Sequence, residues 1–243
     1  MANFSSCGVW LLAGLLGSGF CGIAGAADAD AVMVATAPAT VQPLRVDFSG
    51  EVSSPEARFA AQWVAGNADN HRLPFAIVDK KNARLYIFGA DGRLRGATTV
   101  LLGLAVGDGA VPDMATREIS SLRPAERTTP AGRFAAEPGH NLNGEDIVWV
   151  DYDSKIAIHR LRPDAAYERR AQRLASSTID DNRISMGCIV TSVSFYENVV
   201  RPVLGKSRSV VYVLPDTRSL QGMLGALQAS RTDLLLVHAE RVR

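Results

Sequence analysis

Ile184-Ser185-Met186-Gly187-Cys188-Ile189-Val190, with Lys155-Ile156-Ala157-Ile158-His159-Arg160 upstream, sets the reading of this chain. The earlier run alternates as a strand does. Ile156 and Ile158 point one way, and Ala157 and His159 point the other. The histidine therefore leaves the aliphatic face beside an alanine that gives it room, which suits a cleft better than a core. In the later run, Gly187 lets the backbone turn tightly or come close to a ligand. Such a turn can aim the Gly187 and Cys188 amides at one point, the arrangement that holds an oxyanion in acyl transfer. Ser185 reads as a support for that turn.

Cysteine usage bears on the same site. Cys7 and Cys21 lie in an N-terminal apolar segment, and removal of that segment leaves Cys188 alone. A single cysteine in an exported chain, with a histidine elsewhere, is a pattern of nucleophilic catalysis. The competing reading is a small buried hydrophobe, since free cysteine is among the most buried residue types.

Four segments resemble a known family and stand in its order. Ser185-Met186-Gly187-Cys188-Ile189 is similar to the Ser-His-Gly-Cys signature of the L,D-transpeptidase (YkuD-like) catalytic domain, and Ile158-His159 to its upstream base. Thr129-Pro130-Ala131-Gly132-Arg133-Phe134 matches its Thr-Pro-x-Gly-x-Phe hairpin. Ile77-Val78-Asp79 through Leu85-Tyr86-Ile87-Phe88 resembles its opening hairpin. The likeness runs from about Pro74 to Pro215. It implies a mainly β fold, an L,D-transpeptidase-like β-sandwich with helical insertions.

It also implies a reaction. Cys188 would attack an amide carbonyl of a peptidoglycan stem peptide, with His159 as base and the Gly187 and Cys188 amides holding the oxyanion. The resulting thioester would pass its acyl group to another stem's amine, giving a 3→3 cross-link, or to water. No metal or organic cofactor is implied. Met186 and Tyr152 would line the substrate groove, although hairpin packing explains Tyr152 equally well. Two positions depart from the pattern: Met186 replaces the signature's second histidine, and Val190 replaces its Asn or Arg. Methionine neither exchanges a proton nor donates a hydrogen bond. Two rival readings therefore stay open, hydrolysis of the same class of bonds as an L,D-carboxypeptidase or endopeptidase, and a catalytically silent peptidoglycan-binding relative.

The rest of the chain frames this domain. Its 243 residues are 47% hydrophobic and 21% charged with a net charge of +1, a globular balance that gives no reason to expect a nucleic-acid partner. Residues 1–26 carry an apolar stretch from Val9 to Ile23 followed by Ala24-Gly25-Ala26 and read as a secretory signal, despite lacking Lys or Arg before it. This predicts export to the periplasm or cell envelope, with membrane attachment only through an uncleaved signal. Residues 27–70 read as a linker and an N-terminal helix opened by Ser53-Ser54-Pro55-Glu56, with Phe59, Trp63 and Val64 on one face. Residues 71–215 form the catalytic-type domain and 216–243 a C-terminal extension.

Within the domain, Gly103 to Thr129 has no period and reads either as a lid over the site or as a surface excursion. Arg162–Leu174 reads as an inserted helix, whose Arg169, Arg170 and Arg173 either meet acidic groups on a substrate or face solvent. Ser192–Val203 reads as another helix. His71, His140 and His238 show no metal-ligand spacing.

Overall fold

Phe75–Asp79 (β1) and Arg84–Phe88 (β2) form the hairpin expected from their apolar runs. Asp79 closes its turn by accepting from Asn82 N at 3.2 Å and Asn82 Nδ2 at 2.8 Å, and Ala83 takes the left-handed conformation at φ 47°. The same carboxylate accepts from Ser54 Oγ at 2.6 Å, while Ser54 Oγ accepts the Ala57 amide at 3.0 Å. One serine thus caps helix α1 (Pro55–Gly66) and ties it to the hairpin. The computed structural model describes residues 44–163 and 166–241; the expected signal segment lies outside them.

The remaining strands are β3 (Leu94–Thr99), β4 (Leu102–Gly103), β5 (Gly132–His140), β6 (Asp146–Asp151), β7 (Ile156–Arg160), β8 (Arg183–Ser185), β9 (Ile189–Thr191) and β10 (Ser209–Val213). Eight of them form one mixed sheet in the order β3-β2-β1-β10-β5-β6-β7-β9, and β4 pairs with β8 separately. The long β5 is the corner. Its first half, Gly132–Ala136, pairs with β10; its second half, Glu137–His140, pairs with β6. Folding at β5 brings Val78, Leu85, Ile87, Val211 and Val213 against Val148, Ile156, Ile158 and Ile189 in one buried cluster. Two halves of one sheet therefore enclose a core between them, as the layers of a sandwich do. The fold is mainly β, as the sequence implies.

A second core covers the outer face of β1, β2 and β10. Phe75, Ile77, Tyr86, Phe88 and Tyr212 pack there against Phe48, against Ala57, Ala60, Ala61 and Val64 of α1, and against Leu220 and Leu224 of the final helix α5 (Leu220–Arg241). The α1 face differs from the one expected. Phe59 is exposed and Trp63 is partly packed, because the helix lies close to the sheet on its alanines. Two insertions are also more broken than their sequences suggest. The segment after β7 holds a single turn at Ala166–Glu168 and the short α2 (Arg170–Ala175), separated by Arg169 at φ 52°. The helix after β9 runs as α3 (Val193–Phe195), a π-helical turn (Tyr196–Val200) and α4 (Arg201–Val203); Tyr196 and Val200 enter the core from the π turn. Within α5, the side chains of the apolar stretch Leu234–Val237 lie outside the described residues.

A buried ionic knot joins distant parts of the chain. Lys80, fully buried, donates to Gly107 O at 2.5 Å, Thr129 O at 2.8 Å and Asp108 Oδ1 at 2.9 Å, and Asp216 Oδ2 lies 3.3 Å away. Arg183 pairs with Asp216 at 2.8 Å, and the more exposed Arg218 approaches Asp108 at 3.7 Å from outside. Burial opposes ionisation of Asp108. Hydrogen bonds from the Thr217 side chain, the Asp216 and Arg218 amides and Lys80 outweigh it and hold the carboxyl well below the usual carboxylate range. Removing one partner of such a set leaves buried charge uncompensated. Lys80→Met is accordingly expected to lower stability by about 3–5 kcal/mol, read as a shift in the denaturant midpoint. A change within about 0.5 kcal/mol would contradict this account of the knot.

Candidate active site

The nucleophile turn is built at the end of β8. Gly187 adopts φ +134°, and a Cβ there would lie 2.7 Å from both Ile156 Cδ1 and Thr128 O, so only glycine fits. Ser185, buried, accepts the Gly187 amide at 3.1 Å and donates its own hydroxyl proton to Cys188 O at 2.6 Å. The hydroxyl closes the turn, the part the sequence suggests for it. The oxyanion geometry is another matter. The Gly187 amide is directed at Ser185 Oγ rather than alongside the Cys188 amide, so the two-amide arrangement is not what this turn presents. Among the described residues the Cys188 N–H meets no acceptor, and it is the donor left for an incoming carbonyl oxygen.

Strand register brings the histidine to the same side. β7 and β9 run parallel with Ile158 opposite Ile189 and His159 opposite Val190. One step back along both strands sets Cys188 opposite Ala157, on the face that carries His159. His159 Nδ1 lies 2.8 Å from Arg160 O. A carbonyl only accepts, so Nδ1 carries the proton and Nε2 keeps its lone pair. Cys188 is partly exposed as a residue, while its sulfur is largely desolvated and makes a weak 3.7 Å contact with Lys155 O. The two side chains share a face without a direct hydrogen bond, and sites without substrate are often this loose.

Both groups are shifted toward their neutral forms. Burial pushes the Cys188 thiol up, only partly countered by a hydrogen bond from the Ala157 backbone and the charges of Arg162 and Arg170. Burial pulls His159 down. The bond to Arg160 O opposes that shift, and Arg162 and Arg170 add to it. The resting pair is therefore a thiol and a neutral imidazole, which suits proton removal during attack rather than a standing thiolate.

The surroundings are a groove floor and a loop. Met186, partly exposed, lines a small crevice with Ile156, Ser154 and Pro130 on one side and Val111, Met114 and Leu122 on the other. The last three belong to the long loop that begins at Gly103. Its start is fixed by the Leu104 amide on Ser185 O at 3.0 Å, and its middle by Lys155 Nζ donating to Arg117 O at 2.5 Å. The loop packs beside Met186, on the side of the nucleophile turn. Tyr152 is exposed on the β6–β7 hairpin and meets Trp149 edge-on at 5.1 Å. Trp149 faces Ala157 in register and so shares the Cys188 face. Its run, Ile147-Val148-Trp149-Val150, is apolar throughout, so the sequence alone gives no sign of which face Trp149 takes.

Other singled-out residues serve the scaffold. Arg173 donates to Glu168 O at 2.9 Å and Asp181 O at 3.2 Å, and Arg170 pairs with Glu168. His140 pairs with Asp146 at 3.1 Å on the exposed hairpin. Among the described residues no group of His, Cys, Asp or Glu could hold a metal ion, and no helix is long and apolar enough to cross a membrane.

The fold and the site together define a folded-over mixed sheet with a cysteine–histidine pair on one face. Several solved structures are similar to this chain, three of them as follows. A mutant of the helical cell shape determining protein Pgp2 from Campylobacter jejuni has 15% identity and a TM-score of 0.38 over 75% of this chain and 65% of that one. A mutant of Enterococcus faecium L,D-transpeptidase has 18% identity and a TM-score of 0.31 over 58% of this chain and 49% of that one. The catalytic domain from E. faecium L,D-transpeptidase has 19% identity and a TM-score of 0.34 over 58% of this chain and 96% of that one. The chain thus spans less than two thirds of the first two. No family model and no curated protein matches. With TM-scores below 0.5, the functional reading rests on the chain's own residues.

Proposed function

We propose that this protein is an exported cysteine acyltransferase acting on peptidoglycan stem peptides, through a thioester on Cys188 with His159 as base. One observation supports it above the others: the Arg160 carbonyl fixes the His159 tautomer with Nε2 free, on the sheet face that carries Cys188. In the reaction, Nε2 takes the thiol proton as sulfur adds to the carbonyl, and the Cys188 amide meets the developing oxyanion. The imidazolium then gives its proton to the departing amine. An acceptor amine, attacking the thioester with His159 again as base, completes L,D-transpeptidation as a 3→3 cross-link. The choice of stem peptide comes from the four ordered motifs. Incubation of purified protein with disaccharide-tetrapeptide, with products separated by mass, tests this directly. Cross-linked dimer is the expected product; hydrolysed tripeptide would indicate the carboxypeptidase reading, and unchanged substrate the silent binding module.

Met186 sits in the crevice wall, where a flexible thioether can pack against an aliphatic part of the stem without taking any proton. Met186→His is expected to leave the enzyme reactive and to shift its donor or acceptor preference more than its rate, read as product ratios from mixed substrates. A wild-type protein that forms no adduct, beside a Met186→His variant that does, would make the native chain a disabled relative.

A further inference from the structure

We propose that Thr129 is the positioning residue of the nucleophile turn, orienting the Gly187–Cys188 peptide so that the Cys188 amide faces the reacting carbonyl. The inference rests on the reading of Cys188 as the acylated nucleophile. Thr129 is fully buried, and its hydroxyl lies 2.8 Å from Gly187 O and 2.9 Å from Gly103 N. A hydroxyl has one proton and two lone pairs. The carbonyl cannot donate and the amide cannot accept, so the proton goes to Gly187 O and a lone pair receives Gly103 N–H. Both partners are therefore specified, and the rotor has one orientation.

The consequence for the turn follows from peptide geometry. In a trans peptide the carbonyl and the following N–H point in opposite directions. Holding Gly187 O toward Thr129 turns the Cys188 N–H away from Thr129. Ser185 engages Gly187 N and Cys188 O, and Thr129 engages Gly187 O. The Cys188 amide alone is left without a partner among the described backbone groups of this peptide pair. That selection is what an oxyanion donor needs, since its value lies in standing oriented before charge develops.

Thr129 is itself held from behind. Its carbonyl accepts from Lys80 Nζ at 2.8 Å, and Lys80 is locked by Gly107 O and Asp108. The Gly103 backbone runs so close to that of Arg127–Thr129 that no side chain fits there: a Cβ on Gly103 would lie 2.4 Å from Arg127 O. One route from the ionic knot to the nucleophile turn thus runs from Lys80 to Thr129 to Gly187, beside the direct chain link from Arg183 through β8.

The test compares Thr129→Val, which keeps the shape and loses the hydroxyl, with Thr129→Ser, which keeps the hydroxyl. Thr129→Ala is measured alongside, so that a folding defect peculiar to valine does not remove the comparison. Each full-length protein is followed during acylation by a carbapenem and, separately, during alkylation by iodoacetamide, which forms no oxyanion; peptide mapping reads modification at Cys188 apart from Cys7 and Cys21. The expected result is acylation slowed roughly tenfold to a hundredfold in Thr129→Val and Thr129→Ala. Alkylation should change by less than about threefold, and Thr129→Ser should recover most of the acylation rate. Wild-type acylation rates in Thr129→Val and Thr129→Ala would overturn the proposal. So would equal losses in both reactions, which mark a collapsed turn rather than a misdirected amide. A wild-type protein that is alkylated but never acylated would overturn the functional reading, and this inference with it.

Discussion

Cys188→Ala is expected to abolish acyl-enzyme formation, with turnover reduced on the order of 10⁴-fold or more, as when the nucleophile of a covalent enzyme is removed. The reason is chemical. Without the sulfur no thioester forms, and the free Cys188 amide can at most polarise a bound carbonyl. The fold should be little changed. Cys188 is partly exposed, its thiol makes one weak 3.7 Å contact, and alanine removes a single atom beyond Cβ. Thermal melting should therefore move little while the mass increase after exposure to stem peptide or carbapenem disappears. An adduct that persists in Cys188→Ala would assign the chemistry to another residue. The full sequence carries three cysteines, so peptide mapping must accompany the measurement.

His159→Ala carries the second largest expected effect, a rate loss of about 10²- to 10⁴-fold. Burial raises the Cys188 thiol and lowers His159, so the resting pair is neutral and the proton must leave the sulfur as it attacks. The sign of the pH dependence follows. His159 serves as base only when unprotonated, so the rate falls as pH drops through its pKa. Burial places that point below the usual imidazole range, and activity extends to lower pH than an unperturbed histidine would allow. In His159→Ala this acid limb vanishes. What remains is a low rate that climbs with pH toward the raised thiol pKa, as thiolate forms unaided. A variant with the wild-type acid limb would exclude His159 as the base.

Much of this site was legible in the sequence, because local rules decide it. Alternation in Lys155–Arg160 separates His159 from Ile156 and Ile158, and those isoleucines are buried in the sandwich core. The helix start at Ser53-Ser54-Pro55-Glu56 obeys short-range hydrogen-bonding chemistry and stands where the sequence puts it, with Ser54 holding the cap one residue later than the Ser53–Glu56 spacing suggests. What escaped depends on contacts between distant residues. Thr129 and Gly187 are 58 positions apart, Lys80 and Thr129 are 49 apart, and no periodicity links them. Nothing in the sequence marks Lys80 for burial, yet the Gly103–Thr129 loop and the segment after β10 bury it completely. Phe59 misled for the opposite reason. Hydrophobicity alone marks it for the core, but the closeness of α1 to the sheet selects Ala57, Ala60 and Ala61 instead. The Gly187 amide shows the finest limit: the glycine and the serine are both plain in the sequence, but not that one donates to the other.

The most direct measurement of the central claim is the intact mass of the wild-type protein after brief exposure to disaccharide-tetrapeptide, followed by peptide mapping. The account predicts a transient mass increase equal to the donor less its terminal D-alanine, carried by the peptide containing Cys188 and lost on adding an acceptor amine. A protein whose mass never changes, or whose adduct maps away from Cys188, would contradict it.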